Sequence, residues 1–346
     1  MSIDARAAKI FAPEDLRLVD ERLDDVAPGM VRIAFGAGGI CGSDMHYFRH
    51  ARTGDFVVTS PLTLGHEVAG TIAELGAGVS GLAVGDRVAV NPSRWCGTCG
   101  PCREGRENLC ENIYFMGSAS KTPHMAGGFA SYFDAVPAQC VVIPDGVAME
   151  AAALAEPLSV CMHAVARGGD MSGRQVLVMG GGPIGLLTAM VARHRGAARV
   201  ALADIAAGPL AFAAQVGCDP VIDVSKEDLS TALGTPPDVV FEATGSPAGL
   251  NAAIRAVRRG GTVVQIGNLA AGELPILANS IMSKEIDLKG SFRFGNIFHE
   301  AVGLIADGTI DVTRLITARR PLEEVVPAFR LALDRSQSVK VILTAS

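Results

Sequence analysis

The stretch VLVMGGGPIGLLTAMVA, residues 176–192, decides the fold. Its first four residues read as a buried strand, GGGPIG as a turn, and LLTAMVA as a buried helix. A hydropathy scan alone flags the whole stretch, but glycines and a proline interrupt it, and it falls short of the roughly 18 apolar residues that a membrane span needs. Gly180, Gly182 and Gly185 stand in a G-x-G-x-x-G pattern between strand and helix. Such glycines permit a tight turn and let a pyrophosphate approach the backbone, where it rests on the helix N-terminus. By itself the pattern is weak. The next apolar run, RVALAD (199–204), strengthens it by ending in Asp204, placed where a carboxylate takes the ribose hydroxyls. The IAAGP that follows holds no Arg or Lys to receive a 2′-phosphate, so NAD is expected over NADP.

Outward from this stretch the same alternation continues. VIDV (221–224), DVVFEATG (238–245) and GTVVQIG (261–267) are short apolar strands, and residues 184–195, 208–216 and 248–258 are long enough for helices. Strand alternating with helix predicts a doubly wound parallel sheet, an α/β dinucleotide-binding (Rossmann) domain. The expected cofactor-binding residues are Gly180, Gly182, Pro183, Ile184, Gly185 and Asp204, with Thr244, Ile266 and Gly267 at the ends of two later strands. Before about residue 150 the character differs. VRIAF (31–35), EVAGTIAEL (67–75), DRVAV (86–90) and QCVVIP (139–144) are β-type runs with Gly, Pro and Asp at the joints, and no stretch keeps a helical period. The expected division is a β-rich domain over 1–152 and 293–346 and the dinucleotide domain over 153–292.

The 346 residues suffice for two such domains, and 49% hydrophobic with 19% charged residues is an ordinary globular composition. A formal net charge of -6 argues against nucleic acid or an anionic membrane as partner. MSIDARAAKIF lacks the basic start and apolar core of a secretory signal, so a soluble, cytoplasmic protein is expected.

Four of the eight cysteines, Cys96, Cys99, Cys102 and Cys110, fall in CGTCGPCREGRENLC. Four thiolates on a short loop can close a tetrahedral shell around Zn²⁺ and leave no position open for water. A disulfide knot or an iron–sulfur cluster is the alternative. A second, open site needs ligands from separate segments. GGICGSDMHYF (38–48) offers Cys41, LGHEVAG offers His66 and Glu67, and LAEPLSV offers Glu156. Cys41 alone reads equally as a small buried thiol in a turn. Glu156 precedes Pro157, which disfavours helix geometry and can turn the side chain inward; a carboxylate in so apolar a context usually has a cation or a metal as partner.

Together GGICGSDMHY, LGHEVAG, GDRVAV, the four-cysteine lobe, AEPLSV and GGGPIG resemble the zinc-dependent medium-chain dehydrogenases, in order and essentially end to end. The Glu156 of EPLSV, where ethanol-oxidising members carry a cysteine, places the resemblance in the polyol and sugar-acid branch; Cys161 comes five positions too late to substitute. The resemblance implies a GroES-like catalytic domain and two zinc ions. One is structural, on the four cysteines. The other is catalytic, on Cys41, His66 and Glu67 or a water, with Glu156 completing or supporting the shell. It also implies oxidation of a secondary alcohol by NAD, with Ser43 as first proton relay. His46 is either the next relay or a hydrogen-bonded turn residue. Tyr47, Phe115, Arg293 and Phe294 are the expected substrate contacts. Arg293 would clamp a sugar-acid carboxylate, or else pair structurally with Glu156 or another carboxylate. Phe294, where polyol oxidisers typically have Tyr, favours the sugar-acid side. A homotetramer or dimer is implied, and a catalytically inert dinucleotide-binding protein is set aside because the ligand set is present.

Overall fold

A computed structural model describes residues 3–270 and 272–345. The chain forms two compact units. One holds the residues up to Glu156 with Phe298–Asp334 and the residues from Lys340 onward; the other holds Pro157–Ile297 and Arg335–Val339. Residues 293–297 and 335–339, expected in the β-rich domain, thus pack with the second unit, and residues 153–156 with the first.

In the first unit the long strands Val31–Gly39 and Glu67–Leu75 pair antiparallel at the centre of a seven-stranded sheet. Arg87–Val90 and Cys140–Val142 extend it on one side, and Lys340–Thr344 and Ile316–Pro321 on the other. Tyr132–Ala135 pairs with the start of Val31–Gly39. Ile33, Phe35, Val68, Ile72, Phe129 and Phe329 belong to its buried core. The register matters for the site: Gly39 lies opposite Glu67 on one neighbour and opposite Ile342 on the other.

The first 150 residues also contain a helix that periodicity did not predict, Gly42–His50. It is nine residues long and turns only Asp44, Tyr47 and Phe48 fully inward, too short a pattern to register as a period. Its ends are held locally. Asp44 accepts a hydrogen bond from the Cys41 N–H (3.0 Å), and Ala51, in the left-handed region, returns its own N–H to the Tyr47 carbonyl.

The second unit is a six-stranded parallel sheet in the order Val221–Asp223, Arg199–Asp204, Gln175–Met179, Val239–Glu242, Thr262–Gln265, Asp287–Gly290. The last strand was not anticipated: DLKG is half-exposed and lacks an apolar run. Strand order reverses between Gln175–Met179 and Val239–Glu242, where doubly wound sheets open a crevice at their carboxyl ends. Helices Pro183–His194, Ala207–Gln215 and Pro247–Ala256 fall where alternation predicted them.

Glu156 departs from expectation. Pro157 does not expel it from helix geometry, because both lie in the first turn of the helix Ala155–Gly168, where a missing N–H costs nothing.

Candidate active site

Cys41, His66 and Glu67 bring one ligand atom each within 4.8 Å of one another. Cys41 sits just before the helix Gly42–His50, and His66 and Glu67 enter the central strand Glu67–Leu75. His66 and Glu67 are buried. Cys41 is half-buried, but protein surrounds its thiol, and that loss of water, with the charge of Glu67, pushes it up to about 12. A cation would reverse that preference by taking the thiolate.

The surroundings aim these three side chains. Asp44, fully buried, lies 3.6 Å from Nδ1 of His66, and Ser43 Oγ lies 3.5 Å from Nε2. A carboxylate on the Nδ1 side favours the tautomer whose Nε2 lone pair is available to a metal. Neither Asp44 nor its partner Cys41 N–H was assigned a role from sequence. Phe115 packs against the imidazole, ring centroids 5.5 Å apart.

Glu67 meets a residue that the sequence did not flag. Lys340 Nζ donates to Glu67 Oε1 (2.7 Å) and to the Ile40 carbonyl (3.0 Å), and lies 2.5 Å from Oε2. Both side chains are almost fully buried, 3% and 1% exposed. The two residues stand on strands that flank Val31–Gly39, so their contact has to cross it. Gly39 makes the crossing possible: a Cβ there would stand 2.1 Å from Glu67 Oε2 and 2.9 Å from Lys340 Cε. The second glycine of GGICG is the clearance for an ion pair.

Glu156 is buried within electrostatic reach of His66, Glu67, Cys41 and Lys340, and burial above all raises its carboxyl to about 8. Among the described residues it is not one of the three whose ligand atoms converge. Tyr47 is buried, and its hydroxyl accepts the Ala119 N–H (3.0 Å). His46 is exposed and stands 6.2 Å, centroid to centroid, from His50. His124 is tied down at both nitrogens, near Thr59 N (2.9 Å) and the Lys121 carbonyl (2.9 Å).

The four-cysteine lobe is a separate cluster, its sulfurs also within 4.8 Å of one another. Cys96 Sγ receives the N–H groups of Thr98 (3.5 Å) and Cys99 (3.4 Å) and the Thr98 hydroxyl (3.6 Å), which hold its thiol down at about 5. Cys110 Sγ receives the Cys96 N–H (3.3 Å). Amide donors turned onto sulfur suit thiolates that carry charge, and four of them suit zinc.

In the second unit the glycine turn has the predicted shape. Gly180 has φ 102°, and a Cβ on Gly185 would stand 1.8 Å from the Gly180 carbonyl oxygen, so only glycine closes the turn. Gly182 caps the helix, Pro183 follows, and no side chain caps the first turn, which leaves its N–H groups, Ile184 among them, to an anion. Asp204 is held by three amides, Gly181 (2.6 Å), Ile205 (2.7 Å) and Ala206 (2.9 Å). Thr244 follows Glu242, and Ile266 and Gly267 both give their N–H to the Glu242 carbonyl oxygen (2.8 and 3.0 Å). Arg293 has φ 53°, and its guanidinium lies over the Phe292 ring, 4.9 Å from the centroid; Phe294 is buried.

Residues 27–145 match the alcohol dehydrogenase GroES-like domain and residues 183–307 match the zinc-binding dehydrogenase family. Sorbitol dehydrogenase of Homo sapiens is 37% identical over 342 residues, 96% of this chain and 94% of its own. The chain is a zinc-dependent medium-chain dehydrogenase. It belongs to the polyol and sugar branch of that family. Among solved structures, L-idonate 5-dehydrogenase from Escherichia coli is similar at a TM-score of 0.94 and 34% identity, over 99% of both chains. A Sinorhizobium meliloti protein assigned as a zinc-binding dehydrogenase, and bound to NADP, is similar at 0.90 and 32%, over 99% of both chains. No helix among the described residues is long and apolar enough to cross a membrane.

Proposed function

We propose that this dehydrogenase oxidises a secondary alcohol of a sugar acid, L-idonate to 5-keto-D-gluconate, and uses NAD. Arg293 carries the sugar-acid half of that reading. A non-glycine residue in the left-handed region costs about 1 kcal/mol or more and persists where its surroundings hold it. Its guanidinium, 4.9 Å from the Phe292 ring centroid and with buried Phe294 next in the chain, is a planar fork suited to a carboxylate.

The donor set of sulfur, imidazole and carboxylate on Cys41, His66 and Glu67, with ligand atoms within 4.8 Å of one another, fits zinc. Zinc held there would polarise the substrate hydroxyl, and NAD would take the hydride. The protein does the remaining work. Ser43 stands beside His66 and takes the hydroxyl proton towards solvent; His46, exposed, completes the path. Glu156, buried beside His66 and Glu67, would support the metal shell. Phe115, packed on the His66 ring, is the proposed apolar contact beside the metal site, and the family resemblance adds Tyr47 and Phe294 as substrate contacts. The second zinc belongs to Cys96, Cys99, Cys102 and Cys110. Asp204, fixed by three amides, favours NAD over NADP by opposing a 2′-phosphate. A homotetramer or dimer in the cytoplasm accompanies this reading.

The second reading, a polyol dehydrogenase acting on sorbitol, xylitol or galactitol, is favoured by the 37% identity to sorbitol dehydrogenase. The experiment is NADH formation by zinc-replete protein with L-idonate and sorbitol at matched concentrations. A preference for L-idonate that drops roughly ten- to a hundredfold in Arg293→Ala, the worth of a hydrogen-bonded charge pair, supports the sugar-acid reading. Preference for sorbitol, with Arg293→Ala affecting both alike, establishes the polyol one.

A further inference from the structure

Glu242 ends the strand Val239–Glu242 and pairs with Met179, the residue before the glycine turn, at the point where strand order reverses. It is wholly inaccessible to solvent. Its Oε1 accepts from Thr244 N (2.7 Å), Gly245 N (3.1 Å) and the Thr244 hydroxyl. Its Oε2 has no hydrogen-bond partner among the described residues, and a Cβ on Gly267 would stand 2.8 Å from it. No lysine, arginine or histidine pairs with it among the described residues.

This arrangement is unusual for a buried carboxylate. Burial raises its pKa, while the three donors on Oε1 favour the charged form. A buried charge ordinarily comes with a cation, because unpaired it is costly. The crevice beside it is the one at which doubly wound sheets bind dinucleotides. The oxidised nicotinamide ring carries a positive charge and the reduced ring carries none.

We propose that Glu242 sets the preference between the two cofactor forms: its charge at the head of the crevice stabilises the oxidised dinucleotide relative to the reduced one. The inference rests on the reading of this crevice as the dinucleotide site. Glu242 touches neither substrate nor reacting atoms; it acts through the field at the crevice and through the turn it holds. A purely structural role would weaken both cofactor forms alike, whereas a field distinguishes them.

The test is equilibrium binding of NAD+ and of NADH to the zinc-loaded full chain, by calorimetry and by fluorescence, for wild type and Glu242→Gln. Glutamine keeps the shape and an acceptor for Thr244 while it removes the charge. The expected result is a rise of roughly fivefold in the ratio Kd(NAD+)/Kd(NADH), the size of one charge acting over several ångströms of protein. An unchanged ratio overturns the proposal, whether both affinities fall together or neither moves. If Glu242→Gln does not fold, Thr244→Val, which strips one donor from Oε1, is expected to move the ratio the same way by a smaller factor; a wild-type ratio there also overturns it. If the wild type binds neither dinucleotide, the cofactor reading itself fails.

Discussion

The two cysteine-bearing clusters are built on opposite plans. Cys96, Cys99, Cys102 and Cys110 come from one loop, three of them half-buried, and the sulfurs of Cys96 and Cys110 receive backbone N–H groups from the same loop. Cys41, His66 and Glu67 come from a helix start and a strand start, and Lys340 and Gly39 on neighbouring strands, with Asp44 in the same helix start, hold them. The first set offers four thiolates and closes a tetrahedron. In the proposed reading the second would offer three protein ligands of mixed type and leave a position for substrate. A closed shell serves the fold and an open one serves chemistry, and the difference lies in what surrounds the ligands as much as in the ligands.

The largest effects should separate the two clusters outright. Cys41→Ala is expected to lower kcat/KM by about a thousandfold or more, the several kcal/mol that a Lewis-acid metal contributes, while the melting temperature stays near wild type. Cys102→Ala should do the reverse at first: zinc content and thermal stability fall, and activity follows only as the lobe unfolds. Parallel activity and melting measurements on both variants check this, and equal loss of stability in the two would erase the distinction.

Next comes the ion pair behind Glu67. Lys340→Met leaves a carboxylate buried without its cation and should cost about 3–5 kcal/mol in denaturant unfolding of the metal-free protein. The double variant with Glu67→Gln should recover a good part of that loss, since no uncompensated charge remains. Additive losses would show that the two side chains do not depend on each other.

A smaller effect is expected behind His66. Asp44→Asn keeps the helix start but weakens the orientation of the imidazole, and metal affinity should fall about ten- to a hundredfold in a chelator competition. The four-cysteine lobe should keep its metal in the same experiment.

The smallest effect probes the lobe. Thr98→Val removes the hydroxyl donor to Cys96 and leaves both amide donors. Chelator should strip the lobe's zinc faster by less than about tenfold, with kcat unchanged.

These differences also explain what could be read from the sequence. The lobe was legible because its ligands and their spacing lie in one short segment. The dinucleotide turn was legible for the same reason: strand, glycines, helix and Asp204 follow one another along the chain, and the alternation around them fixes the parallel sheet. Cys41, His66 and Glu67 could be listed as candidates but joined into one site only with the help of a family resemblance, because the sheet register that joins them is a long-range property. Lys340 was hidden for that reason. A lysine in VKVILT looks like an edge charge until the register sets it two residues before Ile342, the partner of Gly39. Asp44 was visible in GSDMHY but offered no local signal, since its partner His66 lies on another segment. The helix Gly42–His50 escaped because it is short and held by its caps. Glu156 was found for a partly wrong reason: burial turns it inward, and Pro157 sits harmlessly in a first turn.

The most direct test of the division between the clusters is stepwise chelation of the zinc-loaded protein, with metal content, activity and melting temperature followed on the same samples. Activity should disappear as the first zinc leaves, with melting nearly unchanged, and added zinc should restore it. Loss of the second zinc should then lower the melting temperature. Full activity in protein that holds zinc only on Cys96, Cys99, Cys102 and Cys110 would contradict the assignment of Cys41, His66 and Glu67 to the working metal.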